Sequence, residues 1–330
     1  MPKKRSSRKS SQRKVNPLNN KLILNAFFNR LFGGNDFKDI QQLLKDVKEG
    51  FDEEGHSYVF YSLKAQKGLA LSIDKLEQYD SNIRGYVNNI NQAREHPVVL
   101  KYFQYLAVLY SEIFLERYFE NSIGLLNELN DHAVSLDNND IFFAKDDLTK
   151  LAFWMATGSG KTLLLHINYL QFMRYNQGPN QVKLDNILLI TPNEGLSNQH
   201  VNEMRQSGIP CALFDNSRRG YFSSMVEPNQ VQVIDIHKFT EEKKGHGVTV
   251  DVEYFGKKNL LFVDEGHKGS GGEKWRDFRK LLADEGFAFE YSATFSQAIN
   301  SAKTAKNKAS GKSQKDELIN EYAKSILFDY

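Results

Sequence analysis

The stretch Met155-Ala156-Thr157-Gly158-Ser159-Gly160-Lys161-Thr162 constrains this chain more than any other. Leu151, Ala152, Phe153 and Trp154 before it form the apolar run of a buried strand, and Leu163, Leu164, Leu165, Ile167 and Leu170 after it recur as the buried face of a helix. A strand that turns into a helix through glycines exposes backbone N–H groups at the helix N-terminus, which is what a phosphate chain requires. Without a Cβ, Gly158 and Gly160 let those groups close around phosphate oxygens. Thr157, Gly158, Ser159, Gly160, Lys161 and Thr162 are therefore the expected cofactor-binding residues of a nucleoside triphosphate site. Lys161 is expected to neutralise the β- and γ-phosphates, and the Thr162 hydroxyl to bind Mg²⁺. The first glycine of the general G-x-x-x-x-G-K-S/T pattern is Met155 here. The competing reading is a plain glycine turn between a core strand and a core helix.

Acids stand at a second strand end. Asp264-Glu265-Gly266-His267 directly follows the apolar run Leu260–Val263. In a Mg²⁺-dependent triphosphatase Asp264 would hold the metal through water, and Glu265 would orient or deprotonate the attacking water. His267 would then lie near the γ-phosphate. The alternative is a surface loop of acids after a core strand. The 103 residues that separate Lys161 from Asp264 accommodate several βα units, which favours the functional reading. Ser292-Ala293-Thr294 ends another strand, 28 residues beyond Asp264, and Thr191-Pro192-Asn193 ends the run Ile187–Ile190. Hydroxyl residues at such points either cap the following segment or contact a nucleic-acid phosphate.

The remaining sequence sets the frame. The 43 basic and 41 acidic side chains leave a net charge of +2, which points to no particular partner. Seven of the basic residues crowd the first 14 positions among serines, so residues 1–19 are expected to be a disordered basic tail. Cys211 is the single cysteine, which excludes a disulfide framework and a cysteine zinc site. The long apolar stretch Val98–Phe119 is interrupted by Lys101, Glu112, Glu116 and Arg117, which argues for a buried helix rather than a membrane span. A cytoplasmic protein without a membrane partner is expected. Residues 20–147 read as a helical domain, with stops at Gly33-Gly34 and Gly50. Residues 148–296 alternate apolar strands with helices, which predicts an α/β fold with a mostly parallel sheet covered on both faces. Ligands in such sheets bind beyond the carboxyl ends of the strands, where the residues singled out above all fall. Residues 297–330 read as a lysine-rich linker with a short closing element.

These four segments, in this order, resemble the first motor domain of a superfamily 2 helicase. Met155–Thr162 resembles motif I in the form found in motor subunits of type I and type III restriction enzymes. Thr191-Pro192-Asn193 resembles motif Ia, Asp264–His267 the DEAH-type motif II with Gly266 in the alanine place, and Ser292-Ala293-Thr294 motif III. The resemblance covers just under half of the chain, from Leu148 to Phe295. It implies a RecA-like P-loop NTPase fold with ATP and Mg²⁺ as cofactors, and Lys161, Asp264 and Glu265 in the catalytic roles. It also implies a DNA substrate contacted along the backbone. Thr191 and Pro192 would lie on the strand-tracking surface, with Ser292 and Thr294 coupling hydrolysis to it. In these families a glutamine upstream of motif I reads the adenine edge. Lys101-Tyr102-Phe103-Gln104 resembles that element, although Gln104 stands 57 residues before Lys161, a longer gap than usual. A buried polar helix residue is the alternative for Gln104. A complete motor has a second RecA-like domain, which would begin within 297–330 and is expected to be missing. No PD-(D/E)xK-type nuclease set is visible. The expected partners are therefore DNA and either a second motor domain or a modification subunit. The rival expectation is a truncated, non-catalytic fragment that binds nucleotide and DNA.

Overall fold

The computed structural model describes residues 18, 21–34, 36–138, 140–214, 228–239, 251–265, 272–306 and 311–330. The basic tail apart from Leu18 lies outside them, as does His267. Five helices precede the first strand: α1 (Ile23–Leu31), α2 (Phe37–Leu44), α3 (Tyr58–Lys64), α4 (Ile73–Asn91) and α5 (Tyr102–Ser135). Three of them begin where a short polar side chain accepts first-turn N–H groups, at Asp36, Ser57 and Ser72. The buried helix expected over Val98–Phe119 is the first part of α5. It runs on to Ser135 through a break at Asn121, whose backbone is non-helical and whose side chain accepts the Gly124 N–H.

Among the described residues seven strands form one all-parallel sheet. They are β1 (Lys150–Trp154), β2 (Asn186–Thr191), β3 (Cys211–Leu213), β4 (Val231–Asp235), β5 (Asn259–Asp264), β6 (Phe287–Ser292) and β7 (Ile326–Asp329). The helices described between the strands are α6 (Lys161–Tyr175), α7 (Glu194–Gln206), α8 (Gly272–Leu282), α9 (Phe295–Ser301) and α10 (Gln314–Ser325). The strand order is β3-β4-β2-β5-β6-β1-β7. The helices and the parallel sheet are the α/β, RecA-like architecture that the sequence predicts. Two strands escape the sequence reading, the three-residue β3 and the edge strand β7.

Side chains alternate across the sheet with period two. Leu151 and Phe153 of β1, Leu260 and Phe262 of β5, and Phe287, Phe289 and Tyr291 of β6 face a core shared with α1, α4, α5 and α6. Leu261, Val263 and Ala288 face the opposite side, towards Leu282 of α8. Ala152 and Ile326 pack with Phe295, Ile299, Leu318, Tyr322 and Leu18. The N-terminal helices thus share one hydrophobic core with the sheet. A buried polar line ties the same layers: the Tyr291 hydroxyl donates to Asn168 of α6, Asn168 donates to Ser111 of α5, and Gln171 donates to Glu112.

Candidate nucleotide site

All strands are parallel, so their carboxyl ends lie along one edge of the sheet. Trp154, Thr191, Asp264 and Ser292 are the last residues of β1, β2, β5 and β6. Strand β6 lies between β1 and β5. Two interstrand steps of roughly 4.8 Å therefore separate the glycine loop from the acids. That spacing leaves room for phosphate oxygens between them.

The loop hangs between β1 and α6. Met155, where the general pattern has glycine, is fully buried in the main core and anchors the loop start. Thr157 and Gly158 are exposed, and Gly158 adopts φ +80° with open space where a Cβ would be. Gly160 is the N-cap of α6 at φ +90°, and a Cβ there would stand 2.3 Å from Nε2 of Gln104. Both the left-handed backbone and the close neighbour require glycine at position 160. Ser159 turns its hydroxyl inward to the Ala156 carbonyl, 2.7 Å away. Thr162 lies half-buried in the first turn of α6. Strand β7 braces the loop from the other side, since the Ala156 N–H donates to the Tyr330 carbonyl at 3.1 Å and the Tyr330 ring stacks on Phe103.

Lys161 reaches across to the acids. Its ammonium lies 3.3 Å from Oε1 of Glu265, and also near the carbonyls of Met155 and Ala156. Glu265 holds φ +52°, an uncommon conformation for a residue with a side chain. Its N–H donates to the Tyr291 carbonyl, and its carboxylate accepts from the Ser292 hydroxyl at 3.2 Å and the Ala293 N–H at 3.3 Å. The Ser292 oxygen in turn accepts the Thr294 N–H at 3.0 Å. Lys161, Glu265, Ser292 and Thr294 are thus joined at one point. Asp264 stands beside them, with Oδ2 3.0 Å from Nε2 of His200 on α7. Backbone N–H groups at a helix start, an ammonium and two carboxylates are the groups that an anion chain with a divalent cation would need.

Gln104 lies at this site despite its distance along the chain. It sits in the first turn of α5, is buried, and donates from Nε2 to the Ser159 carbonyl at 2.8 Å. Its Oε1 accepts the Lys101 N–H at 2.9 Å. Both ends of the amide are engaged within the protein, so Gln104 fixes the glycine loop. Thr191 is buried, and its hydroxyl pairs with Ser197 at 2.6 Å inside the turn that starts α7. Pro192 is half-buried, while 193–195 are exposed on the carboxyl edge. The residue that the sequence reading missed is His200. Its only sequence signal is a polar pair, Ser197 and His200, on the buried stripe of α7 that also carries Val201 and Met204.

The family profile described as type III restriction enzyme, res subunit, matches residues 116–297, over half of the chain. The match runs from the middle of α5 to α9 and contains every strand-end residue above. No curated protein matches the chain.

Proposed function

The chain belongs to the type III restriction enzyme res-subunit family, whose domain is a helicase-type ATP-binding motor, and from that premise we propose that it hydrolyses ATP with Mg²⁺ in response to DNA. The observation that carries this reading is the junction of Lys161, Glu265 and the residues 292–294 at the carboxyl edge. The loop N–H groups and Lys161 bind the β- and γ-phosphate oxygens, with Lys161 moving from the Glu265 carboxylate to the phosphate. Thr162 and Asp264 would hold Mg²⁺, which would supply neutralisation of the negative charge on the phosphate oxygens. Glu265 orients water and accepts its proton, its carboxylate aimed by Ser292 and Ala293. Any change at 292–294 reaches Glu265 directly, which gives the strand end a coupling role. DNA runs along the edge formed by Pro192 and the exposed residues 193–195, touching phosphates without reading bases. The ATP-binding unit comprises residues 148–296, with 20–147 as the helical layer behind it. A second motor domain as partner would supply the arginines that stabilise charge on the transferring group, worth roughly 10³–10⁵ in rate for such residues generally.

The test is ATP turnover by the 330-residue chain with and without DNA, alongside Glu265→Gln. DNA-stimulated turnover that disappears in the variant is the expected result. Nucleotide binding without turnover under any condition would favour the non-catalytic fragment.

A further inference from the structure

Among the described residues five buried side-chain atoms have no hydrogen-bond partner: Arg94 Nε, His132 Nε2, His166 Nε2, His200 Nδ1 and Ser325 Oγ. Unpaired buried polar atoms are uncommon and call for a reason. One of them, His200 Nδ1, stands beside Asp264, and two more lie on a short path through Ser207. His200 pairs through Nε2 with Asp264 at 3.0 Å. His166, fully buried on α6, meets the Ser207 hydroxyl through Nδ1 at 2.8 Å. Ser207 closes α7 and accepts from Arg94 Nη2 at 2.6 Å. Arg94 belongs to the connection between α4 and α5.

The donors and acceptors along this path have one direction. Arg94 only donates, so Ser207 accepts from it and passes its own O–H to Nδ1 of His166. Burial, and after it the charges of His200 and Arg94, hold His166 down to about 3, so its ring is neutral and the proton stands on Nε2. Asp264, as a carboxylate, accepts from Nε2 of His200. Nε2 of His166 and Nδ1 of His200 are the two unpaired ring atoms, and the rings are near enough to interact electrostatically.

We propose that His200 is a positioning residue for the metal-holding carboxylate Asp264, its ring held near the group formed by His166, Ser207 and Arg94. The inference rests on Asp264 holding Mg²⁺, as proposed above. Partners of metal-holding groups fix ligand orientation, and their loss costs on the order of tenfold or more in metal affinity.

The experiment titrates Mg²⁺ against a fluorescent ATP analogue bound to the full chain, and repeats the binding in EDTA. His200→Ala is expected to raise the Mg²⁺ needed for half-saturation on the order of tenfold. Its EDTA-state affinity and thermal midpoint should stay near those of the parent. His200→Gln, which carries an N–H donor at the Nε2 position, should restore most of the metal response. His200→Asn, with its donor at the Nδ1 position, should not. Ser207→Ala should shift the response in the same direction by less. An unchanged Mg²⁺ response in His200→Ala overturns the inference, as does an equal loss of EDTA-state binding, which marks a purely structural role. If the parent chain shows no Mg²⁺-dependent binding at all, the ATP–Mg²⁺ reading fails first and this inference with it.

Discussion

Gly160 and Asp329 mark the limits of what single residues disclose. Gly160 carries its reason in the sequence, since a glycine before Lys-Thr at the head of a helix means a phosphate loop. Its second reason, Gln104 lying 2.3 Å from where a Cβ would be, needs two segments of chain to meet. Gly160→Ala is expected to displace Gln104 and strain the loop, costing about 1–3 kcal/mol together with nucleotide binding. Thermal melts and binding titrations check both. Asp329 was not legible at all. It ends β7 beside Trp154, and burial alone pushes its carboxyl from 3.8 up to about 6. The folded chain therefore holds this proton more tightly than the unfolded one, so its contribution to stability is full below pH 3.8 and is lost as pH rises through about 6. Asp329→Asn is expected to stabilise the protein at neutral pH by about 1–3 kcal/mol and to leave stability unchanged in acid. Denaturant midpoints at the two conditions measure this, and equal shifts at both would contradict the assignment.

At the scale of elements, the strands that carry the site were legible because each is an apolar run followed by a polar signature. The short β3 and β7 offered three and four residues, too few for a period to show. A charged residue inside a strand needs partners that lie far off in the sequence. Glu290 sits in the middle of β6 and is 4% exposed. It is tolerated because Lys150 of β1 lies 3.0 Å away and Arg279 of α8 pairs with it closely. Arg279 also pairs with Glu321 of α10, as does Lys150, so four elements meet in one ionic cluster. Burial pushes the Glu321 carboxyl up, but Arg279 and Lys150 outweigh it and hold it well below the usual range. Arg279→Met would leave the buried Glu290 and the half-buried Glu321 with one lysine. The expected loss is about 3–5 kcal/mol, measured by chemical denaturation. A loss below about 1 kcal/mol, typical of exposed pairs, would mean that water already screens the cluster.

At the scale of the whole molecule, the sequence divides the chain into a helical part and a sheet part, whereas side chains from both fill one core. That division was natural, because periodicity changes near Leu148 while the partners of each apolar face are invisible in the sequence. The shared core and the line from Tyr291 to Glu112 predict a single cooperative unfolding transition. Fluorescence and far-ultraviolet dichroism should then give coincident curves, and two separated transitions would show two independent units. The same continuity joins the helical layer to the glycine loop through Gln104 and to α6 through Arg94, Ser207 and His166. The central claim is that the carboxyl edge of this sheet is an ATP–Mg²⁺ site. Its most direct test is equilibrium binding of ATP to the parent chain and to Lys161→Ala, with and without Mg²⁺. Mg²⁺-dependent binding that weakens by about 10- to 100-fold in the variant, as expected for loss of a charged hydrogen bond, is the predicted result. Absence of binding, or binding indifferent to Lys161, would contradict it.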